Sequence, residues 1–255
     1  MSEEDIKLQY ITPAITAKWD IKKITMETNI TDGKINLKGN FVTREKPKRA
    51  DYVLYLNSIN PIAIVEAKDN KHSISHGLQQ AMAYASMLDI PFAYSSNGDG
   101  FFEHDFLTGK ERELDLDEFP TEEELYCRYK NGANNGEGLS ENQEKMIQQP
   151  YYSSQKTYPP RYYQRIAINR TVDAISRGKD RLLLVMATGT GKTYTAFQIV
   201  YRLLKSGMKR KILYLADRNN LVDQLIQQDF APLEKVIHKV NFSKDDPSTI
   251  TSYQV

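Results

Sequence analysis

The sequence has little of three features that would each point to a particular class of protein. It contains one cysteine, Cys127, in 255 residues, which excludes a disulfide framework and a cysteine-based zinc site. No apolar run approaches the ~20 residues that a membrane-spanning helix requires. The first residues, MSEEDIKLQY, are too acidic and polar for a signal peptide. These absences favour a cytoplasmic protein.

The net charge is also small, at +1, so any contact with nucleic acid must depend on local clusters of basic residues. With 40% hydrophobic and 26% charged residues, the composition is that of a globular protein. Residues 131–145, NGANNGEGLSENQEK, are rich in glycine and asparagine, and we interpret them as a linker. We therefore predict one domain over 1–150 and a second over 151–255.

The first part mixes helix and strand patterns. Residues 1–30 are predicted to be mostly helical, and strands are predicted at 35–42, 50–56 and 62–65. Helical spacing of apolar residues at 75–88 predicts a helix. A strand, an Asn-Gly turn and another strand are expected to follow it.

The second part alternates helix and strand. An amphipathic helix is predicted to end at Gly178, before the apolar strand RLLLVM at 181–186. A helix at 192–207, a strand at 211–216 and a helix from near Asn219 follow. This order is typical of a parallel, doubly wound sheet.

The turn MATGTGKT, residues 186–193, lies between a predicted strand and a predicted helix, as a phosphate-binding loop (P-loop) requires. Its glycines allow backbone N–H groups to close around phosphate oxygens. Lys192 is expected to reach the β- and γ-phosphates of ATP, and Thr193 to hold the accompanying Mg²⁺. The expected ATP-contacting residues are Thr188, Gly189, Thr190, Gly191, Lys192 and Thr193. The alternative is a Gly/Thr-rich turn with an exposed lysine.

This loop carries Met186 where the P-loop pattern has its first glycine, and it resembles motif I of superfamily 2 helicases. The upstream RYYQ resembles the glutamine motif of those proteins, which implies that Gln164 contacts adenine. The alternative for Gln164 is a solvated helix face. The segment 214–224, YLADRNNLVDQ, resembles motif Ia, which implies contact with a nucleic-acid backbone.

Helicases need a second acidic motif on a later strand to complete the magnesium site. After Thr193 the acidic pair is Asp245 and Asp246, in the turn-like KDDPST. We therefore expect a truncated motor domain that can bind nucleotide but does not turn over ATP.

Glu66 and Lys68 follow the apolar run of the strand predicted at 62–65, and because they are two residues apart they share one face. Asp51 begins the preceding predicted strand. In a hairpin the start of the first strand lies beside the end of the second, which brings Asp51 next to Glu66. Carboxylates with a nearby lysine suit Mg²⁺-dependent hydrolysis of a phosphodiester. The alternative is a surface hairpin end with a salt bridge from Lys68 to either carboxylate.

This D-x₁₄-E-x-K pattern resembles the PD-(D/E)xK nucleases. Gln80 and Tyr84 are four residues apart and share a helix face, which we expect to lie opposite the apolar stripe of Leu78, Ala81 and Ala85. Their Q-x-x-x-Y spacing resembles a signature of RecB-like and type I restriction nucleases, which implies a position near metal and DNA. The alternative is an exposed polar face.

Along nearly the whole chain, these segments stand in an order that resembles the restriction subunits of type I restriction-modification enzymes. The resemblance implies an α/β protein: a restriction-endonuclease-like mixed-sheet domain, followed by a partial RecA-like parallel-sheet motor domain. It also implies that Asp51 and Glu66 hold Mg²⁺, that Lys68 positions the attacking water, and that Gln80 and Tyr84 support metal or DNA contacts. An acidic residue of the first helix often completes such sites, and Glu3 or Glu4 is the candidate. A role at the helix N-terminus is the alternative for both.

The resemblance further implies ATP-driven translocation and cleavage of double-stranded DNA, with modification (methyltransferase) and specificity subunits as partners. One alternative is another nuclease–helicase, such as a repair enzyme or a type III restriction enzyme, although in type III enzymes the nuclease follows the motor. The other is a non-catalytic module that binds ATP and DNA and has an inert nuclease site. His72 and His76 are four residues apart without a third ligand, and we interpret them as DNA-facing or solvated.

Overall fold

The computed structural model describes residues 1–31, 33, 35–38, 41–57, 59–154, 158–216 and 219–240. The chain divides into two compact units, Met1–Leu139 and Ser140–Val255, and each is described by itself. The division falls inside 131–145, the stretch interpreted as a linker. In the part of the chain that is described, no helix is long and apolar enough to cross a membrane.

The first unit is built on a mixed six-stranded sheet. The strands of this unit are β1 (Ile24–Thr31), β2 (Ile35–Lys38), β3 (Phe41–Arg44), β4 (Lys48–Tyr55), β5 (Pro61–Ala67), β6 (Phe92–Ser96), β7 (Gly100–Asp105) and β8 (Lys110–Asp115). The sheet order is β1-β4-β5-β6-β7-β8, and β2 and β3 form a separate two-stranded ribbon. Neighbouring strands are antiparallel except β5 and β6, which are parallel.

The helices of the first unit are α1 (Glu3–Ile6), α2 (Thr12–Thr16), α3 (Leu78–Leu88) and α4 (Glu122–Gly132). A π-helical turn, Lys7–Ile11, joins α1 to α2. A parallel strand pair needs a crossover connection, and α3 provides it between β5 and β6. The helix, strand, turn and strand predicted from residue 75 onward are confirmed as α3, β6 and β7.

The prediction that residues 1–30 are mostly helical is wrong beyond residue 23, because Ile24–Thr31 forms the edge strand β1. Five of its eight residues are β-branched, which favours a strand when a partner is present, and β4 is that partner. The strand predicted at 35–42 corresponds to β2 and the start of β3, with residues 39 and 40 outside the described residues. β8 and α4 were not predicted.

The two faces of the sheet bury different side chains. Alternation along β5 sends Ala63, Val65 and Ala67 into a core shared with the N-terminal helical segment, whereas Ile64 joins the core beneath α3. Glu66, two residues after Ile64, therefore lies on the face that α3 covers. The fold thus places a carboxylate under a helix at the end of a central strand.

An ion-pair network on β7 joins the sheet to α4. Glu103 is buried, and its carboxylate accepts hydrogen bonds from Arg128 at 2.7 and 2.9 Å and from Arg112 at 2.9 Å. The Tyr94 hydroxyl also donates to it. Burial opposes ionisation of Glu103, but the hydrogen bonds from Arg128, Arg112 and Tyr94 outweigh burial and lower its pKa to about 2. This network holds α4, an element that the sequence analysis missed, against the sheet.

The second unit is described as helices with extended connections. Its helices are α5 (Glu141–Gln148), α6 (Tyr162–Ser176), α7 (Lys192–Lys205) and α8 (Asn219–Gln227). Phe197 and Val200 of α7 form one apolar cluster with Leu225 of α8 and with Phe230. A second cluster joins α5, α6 and α7. The helices predicted to end at Gly178, to span 192–207 and to start near Asn219 are confirmed as α6, α7 and α8.

A buried arginine fixes α5 and the segment after it to α7. The Arg202 side chain is 1% exposed, and it donates to the carbonyls of Met146 at 2.6 Å and Gln149 at 3.1 Å. It also donates to Asn169 Oδ1 at 2.8 Å and lies over the ring of Tyr151. Burial lowers its pKa to about 10. The carbonyls at the end of α5 carry the partial negative charge that this guanidinium requires.

The two parallel strands predicted at 181–186 and 211–216 are not formed. Neither segment has a ladder with another described segment, and Leu183 and Val185 are each 87% exposed. A strand of a parallel sheet is defined by its hydrogen bonds to neighbours, and without them an apolar segment remains extended but irregular. The helix–extended–helix order expected for this part is nevertheless present.

We predict that Glu103→Gln destabilises the first unit by about 2 kcal/mol at pH 7, because the charge-assisted hydrogen bonds from Arg128 and Arg112 to the buried carboxylate are lost. The folded-state pKa of Glu103 is lower than its ordinary value of 4.5, so its contribution is complete above pH 4.5 and disappears as pH falls toward 2. Urea unfolding followed by fluorescence of Trp19, the single tryptophan, reports this unit. Glu113→Gln, at an exposed position of β8, is the control and should change stability by less than about 0.5 kcal/mol. Equal effects of the two variants at pH 7 would contradict the prediction.

Candidate active site

The register between β4 and β5 places Asp51 beside Glu66. Tyr52 is opposite Val65, so the next positions outward on the two strands are Asp51 and Glu66, and opposite residues of an antiparallel pair point to the same face. The Asp51 Oδ2 atom accepts a hydrogen bond from the backbone N–H of Ala67 at 2.8 Å. The predicted hairpin is therefore confirmed, and it brings the two carboxylates together.

Glu66 is a buried carboxyl group whose two oxygen atoms differ in their contacts. It is 1% exposed; its Oε2 atom accepts from Gln80 Nε2 at 2.7 Å, but its Oε1 atom has no partner among the described residues. Burial, reinforced by the negative charge of Asp51, raises the pKa of Glu66 to about 9. A buried oxygen of this kind is costly unless a cation or a donor meets it.

Gln80 and Tyr84 both reach this site from α3. The Gln80 Nε2 atom that contacts Glu66 also lies 3.3 Å from the Tyr84 hydroxyl. The expectation that this face lies opposite the apolar stripe is wrong, because Tyr84 is buried in the same cluster as Ala81 and Ala85. At 100° per residue Tyr84 lies only about 60° from Ala81, so its ring packs in the core while its hydroxyl meets the site.

Lys68 lies on the same face of the sheet as Glu66. A glycine that was not predicted to belong to the site packs against both residues. That residue is Gly77, in the 3₁₀ turn Ile74–Gly77 before α3. A Cβ atom at Gly77 would lie 3.3 Å from Lys68 Cγ and 3.4 Å from Glu66 Cβ. The missing side chain lets the turn pass directly over both residues. A glycine before an apolar helix carries no signal that distinguishes this role from ordinary turn formation.

Lys7 is a second residue of the site that sequence reasoning missed. Its Nζ atom lies 2.6 Å from Asp51 Oδ1, 2.9 Å from Glu4 Oε1 and 3.0 Å from Glu27 Oε1, and the side chain is 3% exposed. Burial opposes its charge, but the hydrogen bonds to Asp51, Glu4 and Glu27 outweigh burial and raise the pKa of Lys7. In the sequence, Lys7 follows Glu3 and Glu4 by four and three residues, which is the spacing of an ordinary ion pair on the surface of a helix.

Among the described residues, the predicted carboxylate from the first helix reaches the site through Lys7. Glu3 Oε1 lies 3.6 Å from Lys7 Nζ, and Glu3 is also in the first turn of α1, so both interpretations of it remain predictions. Across the described ranges, no three histidine, cysteine or acidic side chains are grouped as a metal site. Asp51 and Glu66 nevertheless fit Mg²⁺, which commonly takes one or two carboxylates and completes its shell with water. The unpartnered Glu66 Oε1 atom supports that fit.

The two histidines near the site pair with each other. The His72 and His76 ring centroids are 4.1 Å apart, and His72 Nδ1 lies 2.7 Å from Asp69 Oδ1. Asp69 follows Lys68 directly, so this pair lies beside the strand end. The interpretation of these histidines as DNA-facing or solvated remains a prediction.

In the second unit, the P-loop lies at the start of α7. Gly191 caps this helix with φ 79°, and the helix begins at Lys192. The Lys192 Nζ atom lies 3.5 Å from the Met186 carbonyl oxygen and 3.4 Å from that of Ala187, which also accepts from Thr190 Oγ1 at 2.7 Å. The lysine therefore folds over its own loop, and the positive end of the helix dipole lies at the same place.

Gln164 contacts this loop rather than open solvent. Its Nε2 atom donates to the Thr190 carbonyl at 2.9 Å, and its Oε1 atom accepts from the backbone N–H of Arg161 at 2.9 Å. Gly191 has φ 79°, a conformation that residues with a side chain rarely adopt, and a Cβ atom there would also lie 2.4 Å from Gln164 Nε2, so the loop favours glycine at this position. The alternative of a solvated helix face is wrong for Gln164, and contact with adenine remains a prediction. Asp245 and Asp246 lie outside the described residues, as do Asp217 and Arg218 of the motif Ia-like segment.

The mixed sheet, with its two carboxylates at the end of a central strand, defines a restriction-endonuclease-like domain. A family model described as "Type I restriction enzyme R protein N terminus (HSDR_N)" matches residues 15–120. A second, "Type III restriction enzyme, res subunit", matches residues 157–253. These matches fit a nuclease domain followed by part of a helicase-like domain.

The EcoAI endonuclease subunit of a type I restriction enzyme from Escherichia coli is 44% identical, over 97% of this chain and 31% of its own length. The EcoKI endonuclease subunit from E. coli strain K12 is 28% identical, over 69% of this chain and 18% of its own length. A fragment structure of an HsdR subunit of a type I restriction enzyme from Vibrio vulnificus YJ016 is 41% identical, with a TM-score of 0.68, and the match covers 81% of this chain and 38% of that one.

The chain therefore belongs to the family of type I restriction enzyme R subunits, and it corresponds to their N-terminal region. The resemblance found in the sequence is confirmed. The chain spans a third or less of the curated relatives that it matches, 31% of one and 18% of the other.

We predict that Glu66 makes the metal-free protein less stable as pH rises. Its pKa is about 9 in the folded protein and near 4.5 when exposed, so the folded state holds a proton that the unfolded state releases between these values. The contribution of Glu66 to stability should therefore be greatest below pH 4.5 and fall as pH rises toward 9, by at most about 1.4 kcal/mol per pH unit. Glu66→Gln should remove this contribution.

The measurement is thermal unfolding in a chelator at pH 5.5, 7.0 and 8.5, followed by Trp19 fluorescence. Glu113→Gln is the matched control, because it removes an exposed carboxylate from the same unit and should keep the parent's pH dependence. Identical pH slopes for the parent and Glu66→Gln would show that Glu66 ionises normally.

Proposed function

We propose that this chain provides the DNA-cleaving centre and the ATP-binding loop of a type I restriction subunit. The observation that carries the proposal is the pairing of Asp51, in the first half of β4, with Glu66, near the end of β5, where the buried Glu66 Oε1 atom has no partner among the described residues. The reaction is hydrolysis of a phosphodiester bond in double-stranded DNA. The family membership and the nuclease-first order of the two units support this choice.

Asp51 and Glu66 are the residues that would hold the divalent cation. When bound there, Mg²⁺ activates water and neutralises negative charge on the scissile phosphate. Asp51 is held in place by the N–H of Ala67, and Glu66 by the amide of Gln80. Both carboxylates are therefore oriented before metal binds, which lowers the ordering cost of assembling the site.

Lys68 is the residue that would position the attacking water. It shares a face with Glu66, and its Cγ atom lies beside Gly77 next to the Glu66 side chain. Its charge favours ionised Glu66 and offsets part of the effect of burial. Gln80 acts through Glu66, and Tyr84 acts through Gln80, so both are positioning residues for the metal ligands.

The P-loop of the second unit is proposed to bind ATP with Mg²⁺. Lys192 would exchange its contacts with the Met186 and Ala187 carbonyls for the β- and γ-phosphates, and Thr193 would hold the ion. The loop N–H groups at the start of α7 and the helix dipole favour the same anion. Gln164 secures the loop through the Thr190 carbonyl.

By family membership, the partners are double-stranded DNA together with the modification (methyltransferase) and specificity subunits of a type I complex. Translocation along DNA belongs to the same proposal. We also propose that the nuclease domain corresponds to the first unit and that the motor part begins with the second.

We expect Mn²⁺ to bind the parent chain and to bind Glu66→Gln more than about tenfold more weakly, because the amide cannot supply a charged oxygen ligand. The measurement is isothermal titration calorimetry, which does not require DNA cleavage or partner subunits. Glu113→Gln is the matched control and should bind like the parent. A folded parent that binds no Mn²⁺ would contradict the metal site and would favour the non-catalytic module with an inert nuclease site.

We expect Lys192→Ala to weaken binding of a fluorescent ATP analogue by more than about tenfold, because the charge-assisted contacts with the phosphates are lost. Lys209→Ala removes an exposed lysine after α7 and is the matched control. Equal affinities of the parent and Lys192→Ala would rule out the P-loop as the nucleotide site. Fluorescence anisotropy with the whole chain measures both.

A further inference from the structure

The proposed metal site is adjacent to a buried cation that belongs to the protein. Lys7 is 3% exposed, and its ammonium lies within 3.0 Å of carboxylate oxygens from Glu4, Glu27 and Asp51. Glu3 lies slightly farther away, at 3.6 Å. One positive charge therefore serves four carboxylates, one of which is a proposed metal ligand.

The backbone around this lysine is unusual on both sides of the contact. Lys7 begins the π-helical turn that joins α1 to α2, and turns of this kind are rare and often occur at functional sites. Glu27, which contacts Lys7 from β1, has φ 50°, a left-handed conformation that non-glycine residues seldom adopt in a strand. Two local departures from regular structure thus bring lysine and glutamate together.

We propose that Lys7 is an internal counter-ion that competes with the divalent cation for Asp51 and thereby sets the metal affinity of the site. This inference rests on the proposed function. Asp51 offers Oδ1 to Lys7 and Oδ2 to the N–H of Ala67, so neither oxygen is free of a donor. A cation bound to Asp51 must share the carboxylate with the ammonium that is 2.6 Å from it.

Charge balance explains why the lysine is needed without metal. Asp51, Glu3, Glu4 and Glu27 surround the same ammonium, so removing Lys7 would leave these carboxylates with uncompensated repulsion. A divalent cation supplies the same compensation more strongly. The cost of the lysine is that its positive charge repels the incoming cation.

Asp51 does not depend on Lys7 alone for its orientation. The Ala67 N–H bond is formed within the β4–β5 pair and does not involve Lys7, so we expect it to persist when Lys7 is changed. Replacing Lys7 with a neutral residue of similar length should therefore remove the competing charge while leaving the ligand in place. A lysine with a purely structural role would affect stability without tightening metal binding.

The test is Mn²⁺ titration calorimetry on the whole chain for the parent, Lys7→Met and Lys7→Gln. We expect both variants to lower the Kd for Mn²⁺ by about three- to tenfold, since a nearby like charge is removed. Both should also lower the Tm in a chelator and show a larger rise in Tm on adding Mn²⁺ than the parent does. Lys7→Arg, which keeps the charge, should bind Mn²⁺ like the parent.

Lys23→Met is the matched control. Lys23 is in the same unit and is paired with a carboxylate, Glu122, so this change removes a partly exposed ion pair that does not involve Lys7. It should lower the Tm in a chelator without changing the Kd. Lys7→Gln provides a second folded variant if Lys7→Met unfolds.

Each outcome decides between the proposals. Tighter binding in the Lys7 variants, or binding in them alone, supports the counter-ion role. Unchanged or weaker binding in the variants, with binding in the parent that Glu66→Gln abolishes, overturns the role of Lys7 and leaves the proposed function intact. No binding in the folded parent or in either folded variant overturns both.

Discussion

A shift of one residue between β4 and β5 would turn Asp51 away from Glu66, because side chains alternate between the two faces of a sheet. The observed register is fixed by the cores on both faces: Tyr52 and Val65 enter one, and Val53 and Ile64 enter the other. The position of the carboxylates is therefore a consequence of the burial of apolar residues one and two positions away on the same strands. The same alternation places Glu66 under α3, where Gln80 can reach it.

The parts of the site that sequence reasoning found are those encoded in spacing within or between neighbouring strands. The spacing of two from Glu66 to Lys68, the spacing of four from Gln80 to Tyr84, and a short hairpin were sufficient to group these side chains. Lys7 and Gly77 were missed because their roles depend on long-range packing: a helical turn near the N-terminus meets β4, and a glycine passes over β5. Neither contact gives rise to a recognisable pattern in the local sequence.

In the second unit, local signals were also the reliable ones. The glycines of the P-loop, the helix start at Lys192 and the extents of α6 and α7 all follow from short-range preferences, and the structure has each of them. The two predicted strands are not formed in the described part of this unit. A strand requires hydrogen bonds to a second segment, and the apolar composition of one segment does not show whether such a partner is present. The error at β1 was the reverse. A helix was predicted there, but pairing with β4 makes the segment a strand.

The contacts of Arg202 determine where this protein can be divided. Two of its acceptors, the carbonyls of Met146 and Gln149, precede residue 150, although the guanidinium belongs to α7. A cut at residue 150 would separate those carbonyls from the arginine and leave a buried charge without two of its acceptors. A cut between Leu139 and Ser140 keeps them together. Recombination of nuclease and motor parts between relatives is therefore compatible with this packing when the junction precedes α5.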